Sequence, residues 1–300
     1  MSANAVTSGL ATRLQQPTVL ALGAIVLWGT LASFGVALSH VPPFLLTGLA
    51  LLVGSLIALP LSNFRLANWR VPLPTLGLGI YGLFGFHFLL FLALRHAPPV
   101  QANLVNYLWP LLMVVLAPLL LPGLTLRPVH IAAALLGFAG AALVILGNAP
   151  AADTAGAPVG GWAWGYVPAM LSACVWASYS LLTKRVPAFP TAAIGGFALV
   201  SGLLSLLCHA LFETPVTLSG QDALLIAGMG LGPMGAAFFM WDRALKGGDA
   251  RHIGILSYLT PLASTAMLIA INGRPFTWNI AVAATLIVGA AVLGTRNQQG

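Results

Sequence analysis

Few side chains in this 300-residue chain could carry out catalysis, and most of them lie outside its long apolar segments. Of six histidines only His87 lies well inside such a segment, and Cys174 and Cys208 have the surroundings of buried thiols. A membrane enzyme needs a nucleophile beside a base, or a set of metal ligands, at that depth. No HExxH, GxSxG or CxxC motif occurs, and the acids fall in connections or near segment ends: Asp153, Glu213, Asp222, Asp242 and Asp249. We therefore expect no enzyme activity, no metal and no cofactor.

Aromatic residues with a polar tip are the other candidates for function. One group lies in the middle of apolar segments: Trp28, Tyr81, Tyr107, Trp109, Trp176, Tyr179 and Tyr258. In a dry environment an indole N–H or a phenol O–H needs a hydrogen-bond partner, while the ring can stack on a flat apolar ligand. Packing between helices is the alternative interpretation. A second group lies near segment ends, where an interfacial belt is expected: Trp69, Trp162, Trp164, Tyr166, Trp241 and Trp278.

Three polar residues lie in the same segments as the first group. The amides of Asn103 and Asn106 can bind an amino or carboxylate group, or form hydrogen bonds between helices. His87 is either a neutral, hydrogen-bonded histidine or a pocket residue or proton site. Proton coupling commonly uses a carboxylate inside a membrane span, and no acid is expected there. The pattern favours movement of a zwitterion down its own gradient, with proton coupling as the alternative.

The composition assigns the chain to a membrane. It is 59% hydrophobic and 6% charged, with a mean hydropathy of +0.97, whereas soluble domains are about 25% charged. The apolar runs are too long and too unbroken for the alternating strands of a barrel. At about 20 residues a span, they predict ten helices, over 18–39, 43–61, 72–94, 99–121, 128–147, 163–184, 189–211, 221–245, 250–271 and 277–295.

The basic residues orient these helices. If the N-terminus is cytoplasmic, ten of the twelve Lys and Arg residues lie on the cytoplasmic side, and only Arg95 and Arg274 lie opposite. This predicts cytoplasmic tails over 1–17 and 297–300 and an outer linker over 150–162. The basic residues occur singly, so a net charge of +7 does not indicate nucleic acid binding. The expected partners are a small-molecule substrate and the lipid bilayer, and we expect a monomer.

One phrase occurs twice. NYLWPLL at 106–112 returns as SYLTPLA at 257–263, and residues 77–111 align with 228–262 without a gap at an offset of 151. Arg95 aligns with Lys246. Two repeats of five spans each follow, over 18–149 and 163–296. Because five is odd, the second repeat must enter the membrane inverted, which is typical of transporters with a substrate near the midplane.

Each repeat carries a proline inside its fourth span, Pro110 and Pro261. Proline removes a helix hydrogen bond and bends the helix. Bends at equivalent places would let the helix ends swing while the middle stays fixed, so we interpret both prolines as gating kinks. A static kink that serves packing is the alternative.

The chain resembles the drug/metabolite transporter (DMT) superfamily, in particular its EamA-domain family. The resemblance is carried by Trp28 in AIVLWGTLASFGV and Trp176 in SACVWASYSLLTK, and by ALRHAPPVQANLVNYLWPLL and ALKGGDARHIGILSYLTPLA. It covers nearly the whole chain and is specific for fold rather than substrate. Within the family, the sequence is most similar to YddG-type aromatic amino acid exporters of bacterial inner membranes.

That resemblance implies export of Phe, Tyr, Trp and similar small compounds by alternating access. The alternative is a DMT exporter of another small metabolite, such as an aliphatic amino acid, a nucleobase or a drug. In a two-repeat transporter the first and fourth helices of each repeat would surround a central cavity. The predicted substrate-binding residues are Trp28, Tyr81, His87, Asn103, Asn106, Tyr107, Trp109, Trp176, Tyr179 and Tyr258.

Overall fold

The computed structural model describes residues 16–147, 163–272 and 277–296. Within these ranges every regular element is helical and there is no strand. The elements form ten apolar helices: α1 Pro17–Ala37, α2 Pro43–Leu61, α3 Leu73–His96, α4 Pro99–Leu120, α5 Pro128–Gly147, α6 Tyr166–Leu182, α7 Ala193–Phe212, α8 Gly220–Gly247, α9 Ala250–Ala270 and α10 Trp278–Gly294. The prediction of an all-α membrane fold with ten helices is confirmed. Most of the predicted tails and of the linker lies outside the described residues.

Helices of the two repeats pack in exchanged pairs. α3 and α4 both pack against α6, and α8 and α9 both pack against α1. α2 packs against α7, and α5 against α10. These main contacts between the repeats therefore have counterparts in which the repeats change places, or are their own counterparts. That pattern is the one expected of two inverted copies related by a two-fold axis.

Successive helices alternate in direction, so each end of the bundle collects every second connection. We name the end at which α1 begins face N, and the opposite end the far face. At the far face the carboxylate of Glu213 accepts hydrogen bonds from the amides of Phe44 (3.0 Å) and Leu45 (3.2 Å) at the start of α2. His209 Nδ1 (3.0 Å) and Arg95 (3.3 Å) contact the same carboxylate. This anion at a helix N-terminus ties α2, α3 and α7 together.

Both fourth helices of the repeats are interrupted near their prolines. α4 consists of Pro99–Asn106 and Trp109–Leu120, and α9 of a segment that ends at Leu256 and another that begins at Leu259. Pro110 therefore lies in the first turn of a new helical segment, where proline costs no hydrogen bond. Pro261 lies in the same first turn of its own segment. The gating role of the two prolines stays a prediction.

Both third helices contain a π-helical turn. In α3 it spans Tyr81–Gly85, and in α8 it spans Gly232–Ala236. The two are separated by the repeat offset of 151, so the same distortion occurs at the same place in each copy. Such turns are uncommon and occur often at functional sites. No sequence pattern used above predicts them.

Candidate substrate site

Four tryptophans from four helices meet in the interior of the bundle. Trp28 (α1), Trp109 (α4), Trp176 (α6) and Trp241 (α8) are at most 8% exposed. We name them the tryptophan cluster. The ring centroid of Trp28 lies 5.8 Å from that of Trp176 and 5.0 Å from that of Trp241, and Trp109 lies 6.4 Å and 5.8 Å from the same two rings. Most pairs are edge-on or tilted, as ring quadrupoles favour.

Three further aromatic rings extend the cluster. Phe86 lies 5.3 Å from Trp176, Phe238 lies 5.7 Å from it, and Tyr179 lies 5.4 Å from it. Tyr179 also covers the backbone of Gly82 in the π-helical turn of α3, so closely that a Cβ at residue 82 would overlap its ring. The cluster therefore touches the distorted part of α3 directly.

The position of Trp241 corrects one expectation. We expected it in the interfacial belt, because charged residues follow it in the sequence, but it is 1% exposed and its Nε1 donates to Ser180 Oγ at 3.1 Å. The belt interpretation is wrong for this residue. Its spacing from Phe238 and Leu245, which are also buried, places all three on one helix face. Trp164 and Trp278, by contrast, are 55% and 80% exposed.

A buried polar pair lies one helical turn from two of the tryptophans. Ser172 Oγ donates to Asn106 Oδ1 at 2.8 Å, and both residues are at most 5% exposed. Ser172 precedes Trp176 by four positions on α6, so the two share a helix face. Asn106 ends the first segment of α4 and Trp109 begins the second, three positions later. A polar layer and an aromatic layer are thus adjacent. Ser172 was not among the predicted site residues.

Two other predicted residues lie beside this polar pair along α4. Asn103 is partly buried and lies one turn before Asn106. Tyr107 is also partly buried and lies in the interruption of α4. The interruption turns the chain between the polar pair and Trp109, so α4 offers an amide, a phenol and an indole within about two turns.

His87 is connected to the cluster through a neighbouring ring. It is 8% exposed, its Nδ1 donates to the carbonyl of Leu83 at 2.6 Å, and its ring lies 5.0 Å from that of Phe86. Since a carbonyl only accepts, this bond places a proton on Nδ1. The imidazole is thereby held by its own helix.

Tyr81 and Tyr258 lie apart from the tryptophan cluster. Tyr81 is 40% exposed and its hydroxyl lies 2.9 Å from Ser178 Oγ on α6. Tyr258 is fully buried against Phe138 and over Gly137, in a separate group of side chains. Of the aromatic residues predicted for the site, the structure brings Trp28, Trp109, Trp176 and Tyr179 together, as set out above.

The tryptophan cluster contains no charged side chain, although the carboxylate of Asp242 lies close to it. Asp242 follows Trp241, is 4% exposed, and lies five residues before the end of α8 at Gly247. Its Oδ2 accepts from Lys246 Nζ and Thr191 Oγ1, both at 2.7 Å. The expectation that the acids lie in connections or near segment ends therefore holds for Asp242, although its burial beside Trp241 was not expected. The carboxylate is neutralised by an ammonium on its own helix.

Comparison with known proteins supplies the family. The model of the EamA-like transporter family matches residues 17–146 and 163–296. An aromatic amino acid exporter YddG of Ancylobacter novellus is 40% identical over 287 residues, covering 93% of this chain and 96% of that protein. Proteins of the same name from Escherichia coli K12 and Salmonella typhimurium are each 24% identical, with the same coverage.

A solved structure has a similar fold. It matches with a TM-score of 0.84 at 38% identity, covering 95% of this chain and 99% of the other. The family model, the 40% identical relative and this structure each span most of the helical bundle described above. The chain is therefore a multi-pass membrane protein that belongs to the EamA-like transporter family.

Proposed function

We propose that the protein exports aromatic amino acids (Phe, Tyr and Trp) and similar small compounds across the bacterial inner membrane by alternating access. The observation that carries the proposal is the tryptophan cluster beside the Asn106–Ser172 pair. The relatives named as aromatic amino acid exporters support the same substrate class.

The cluster and the polar pair match the two halves of such a substrate. The indole rings of the tryptophan cluster pack on one another in this structure. When the helices separate, the same ring faces become available to an aromatic side chain of the substrate. Stacking of this kind contributes about 1 kcal/mol per ring pair. The amide and hydroxyl of the polar pair can exchange their mutual hydrogen bond for bonds to an amino or carboxylate group. Asn103 and Tyr107 extend that polar strip along α4.

The direction of the chain in the membrane follows from its charges. Most described Lys and Arg residues lie at face N, including Arg127, Lys184 and Arg251. Under the positive-inside rule this face is cytoplasmic, so we place both termini there. Substrate would then enter from face N and leave at the far face, by the chain acting as a monomer.

We infer facilitated movement because the tryptophan cluster contains no charged side chain, and because the imidazole of His87 is bonded to the carbonyl of Leu83 on its own helix rather than to an acid. Proton coupling is the second candidate, and one observation favours it. The Oδ1 atom of Asp242 is buried and accepts no hydrogen bond from the described residues. A carboxylate with one unsatisfied oxygen inside the bundle can take up a proton, which would release Lys246.

Flux measurements in proteoliposomes test the proposal. Labelled phenylalanine and tryptophan are followed under a substrate gradient, with and without a pH gradient, against labelled alanine and a nucleobase. We expect saturable aromatic flux that does not respond to pH and falls in Trp109→Ala. Trp278→Ala is the control, since Trp278 is 80% exposed. Aromatic flux no greater than in empty vesicles would overturn the substrate class, and flux driven by the pH gradient would establish the second candidate.

A further inference from the structure

The π-helical turn of α8 leaves one main-chain carbonyl without its usual partner. In an α-helix the amide of Ala237 would donate to the carbonyl of Pro233, four residues earlier. Here Ala237 donates to Gly232 and Gly235 instead, so the oxygen of Pro233 does not receive this amide. The indole Nε1 of Trp28 donates to that oxygen at 3.1 Å, in a buried position. The bond joins the tryptophan cluster to α8 through a carbonyl that the π-helical turn makes available.

The equivalent indole and the equivalent carbonyl are present in the exchanged arrangement of the two repeats, but no hydrogen bond joins them. Trp176 aligns with Trp28, and Gly82 aligns with Pro233. Gly82 lies in the π-helical turn of α3, and α6 packs against that turn as α1 packs against the turn of α8. Nevertheless, no hydrogen bond joins the indole of Trp176 to Gly82 or to any other group that the structure describes. The two repeats therefore differ at this one contact.

Two hydrogen bonds between helix ends at face N also belong to one repeat arrangement only. At face N, Lys184 Nζ donates to the carbonyl of Gly248 at 2.6 Å, which ties the end of α6 to the α8–α9 connection. Arg251 Nη1 donates to the carbonyl of Thr125 at 2.6 Å, which ties the start of α9 to the α4–α5 connection.

The repeat equivalents of these two basic residues cannot form such ties. Val36 aligns with Lys184 and Val100 aligns with Arg251, so an apolar side chain stands at the far face in each case. Val36 is 68% exposed. Face N therefore has two ties whose repeat equivalents are absent at the far face, where Glu213 holds α2, α3 and α7 instead.

We propose that the indole N–H groups of Trp28 and Trp176 bond in alternation to the carbonyls of Pro233 and Gly82 in the two π-helical turns, one bond in each state of the transport cycle. Inverted repeats exchange conformations when the open face changes, so a bond made by one repeat in one state is made by the other repeat in the other state. The Trp28–Pro233 bond stabilises the state tied at face N, and a Trp176–Gly82 bond stabilises the opposite state. The inference rests on the alternating-access part of the proposed function and is independent of the substrate class.

The test compares Trp28→Phe with Trp176→Phe in the absence of substrate. Pulsed electron paramagnetic resonance measures the distance between spin labels at face N (Arg185→Cys with Arg243→Cys) and, separately, at the far face (Ser39→Cys with Pro99→Cys). Cys174 and Cys208 are first replaced by alanine. A buried hydrogen bond changes a two-state ratio by about 3- to 10-fold. Trp28→Phe is expected to raise the population with the longer face-N distance, relative to the shorter one, by that factor. Trp176→Phe is expected to keep the shorter distance and to reduce any population with the longer one.

The control is Trp109→Phe, which removes the same atoms from the same cluster. Its indole makes no hydrogen bond to the described residues, so neither distance should change. If Trp28→Phe folds poorly, a benzothienyl analogue at residue 28 keeps the ring shape and removes only the donor. Equal shifts in the two variants, or shifts no larger than that of Trp109→Phe, would overturn the inference. Because no substrate is present, failure of the aromatic flux assay leaves this result intact.

Discussion

Arg95 and Lys246 occupy the same position in the two repeats and hold opposite faces of the bundle. Arg95 ends α3 at the far face, contacts Glu213 at 3.3 Å, and lies 5.9 Å from the ring of Phe44 at the start of α2. Lys246 ends α8 at face N, donates to the carbonyl of Phe189 at 2.9 Å, and lies 3.8 Å from the ring of that residue, just before α7. Each repeat thus places a cation on an aromatic ring where the end of its third helix meets the start of its second helix.

Loss of the far-face carboxylate should destabilise the bundle. Glu213→Gln removes the charge that two helix amides, His209 and Arg95 all contact, while its own side chain is 2% exposed. Hydrogen bonds to a buried charge contribute about 1.5–3 kcal/mol, so we expect the free energy of unfolding to fall by about 2 kcal/mol. Thermal unfolding in detergent measures this.

Arg95→Gln is the matched comparison for Glu213→Gln. The side chain of Arg95 is 45% exposed, so the ion pair is screened by solvent and its removal should cost about 0.5 kcal/mol. A loss from Arg95→Gln as large as that from Glu213→Gln would mean that the ion pair, rather than the cap on α2, stabilises the far face.

The Asp249 carboxylate should make stability depend on pH at face N. Burial opposes its ionisation, but hydrogen bonds from the side chain and amide of Arg251 outweigh burial and lower the pKa of Asp249. A lowered folded pKa adds stability above the unfolded value of about 4, and that stability is lost as pH falls through the folded pKa. Unfolding midpoints measured between pH 7 and pH 3 should fall more steeply in the parent protein than in Arg251→Gln.

Arg127→Gln controls for the loss of a positive charge near the same connection, because Arg127 makes no bond to Asp249. It should keep the slope of the parent protein. A slope reduced equally by both substitutions would assign the effect to overall charge at face N.

The sequence predicted three of the four tryptophans and missed the fourth for a physical reason. Trp28 and Trp176 align with each other, and Trp109 lies in the repeated phrase, so symmetry marks all three. Trp241 aligns with Leu90 and is followed by Asp242, so neither symmetry nor polarity marks it. Its burial comes from the packing of α8 against α1 and from the bond of its indole to Ser180, 61 positions away, and such tertiary contacts leave no local pattern.

The helix count and the exchanged packing were predictable, while the π-helical turns were not. Ten apolar runs and an offset of 151 determine which helices are equivalent. A π-helical turn depends on one inserted residue in the hydrogen-bond ladder, and glycine or proline near residues 82 and 233 is compatible with either ladder. The Ser172–Asn106 hydrogen bond could not be predicted from the sequence either, because it joins residues 66 positions apart through the packing of α4 on α6.

Gly82 and Gly77 lie on the same helix and should respond oppositely to alanine. A Cβ at residue 82 would overlap the Tyr179 ring, whereas a Cβ at residue 77 meets nothing within 4 Å. Gly82→Ala must push α6 away from the π-helical turn, so we expect lower stability, by about 1–3 kcal/mol, together with reduced flux. Gly77→Ala should be neutral or stabilising by up to about 1 kcal/mol. Unfolding in detergent and flux in proteoliposomes measure both variants.

Replacing Trp241 by the smaller aromatic residue phenylalanine should weaken the transport of aromatic substrates. Trp241→Phe removes the hydrogen bond to Ser180 and part of a ring surface that contacts Trp28 and Trp109. The smaller ring packs less closely against Trp28 and Trp109, which costs about 1 kcal/mol of contact energy. We therefore expect the half-saturation concentration for phenylalanine to rise by about 3- to 10-fold.

The same substitution at Trp278 provides the control, because that ring is 80% exposed and lies outside the tryptophan cluster. Trp278→Phe should leave the half-saturation concentration unchanged. A rise in Trp241→Phe that appears equally for alanine transport would indicate a general defect in the conformational cycle. A rise confined to aromatic substrates would place residue 241 in the wall that contacts them, since only a ring-to-ring contact distinguishes phenylalanine from alanine at this site.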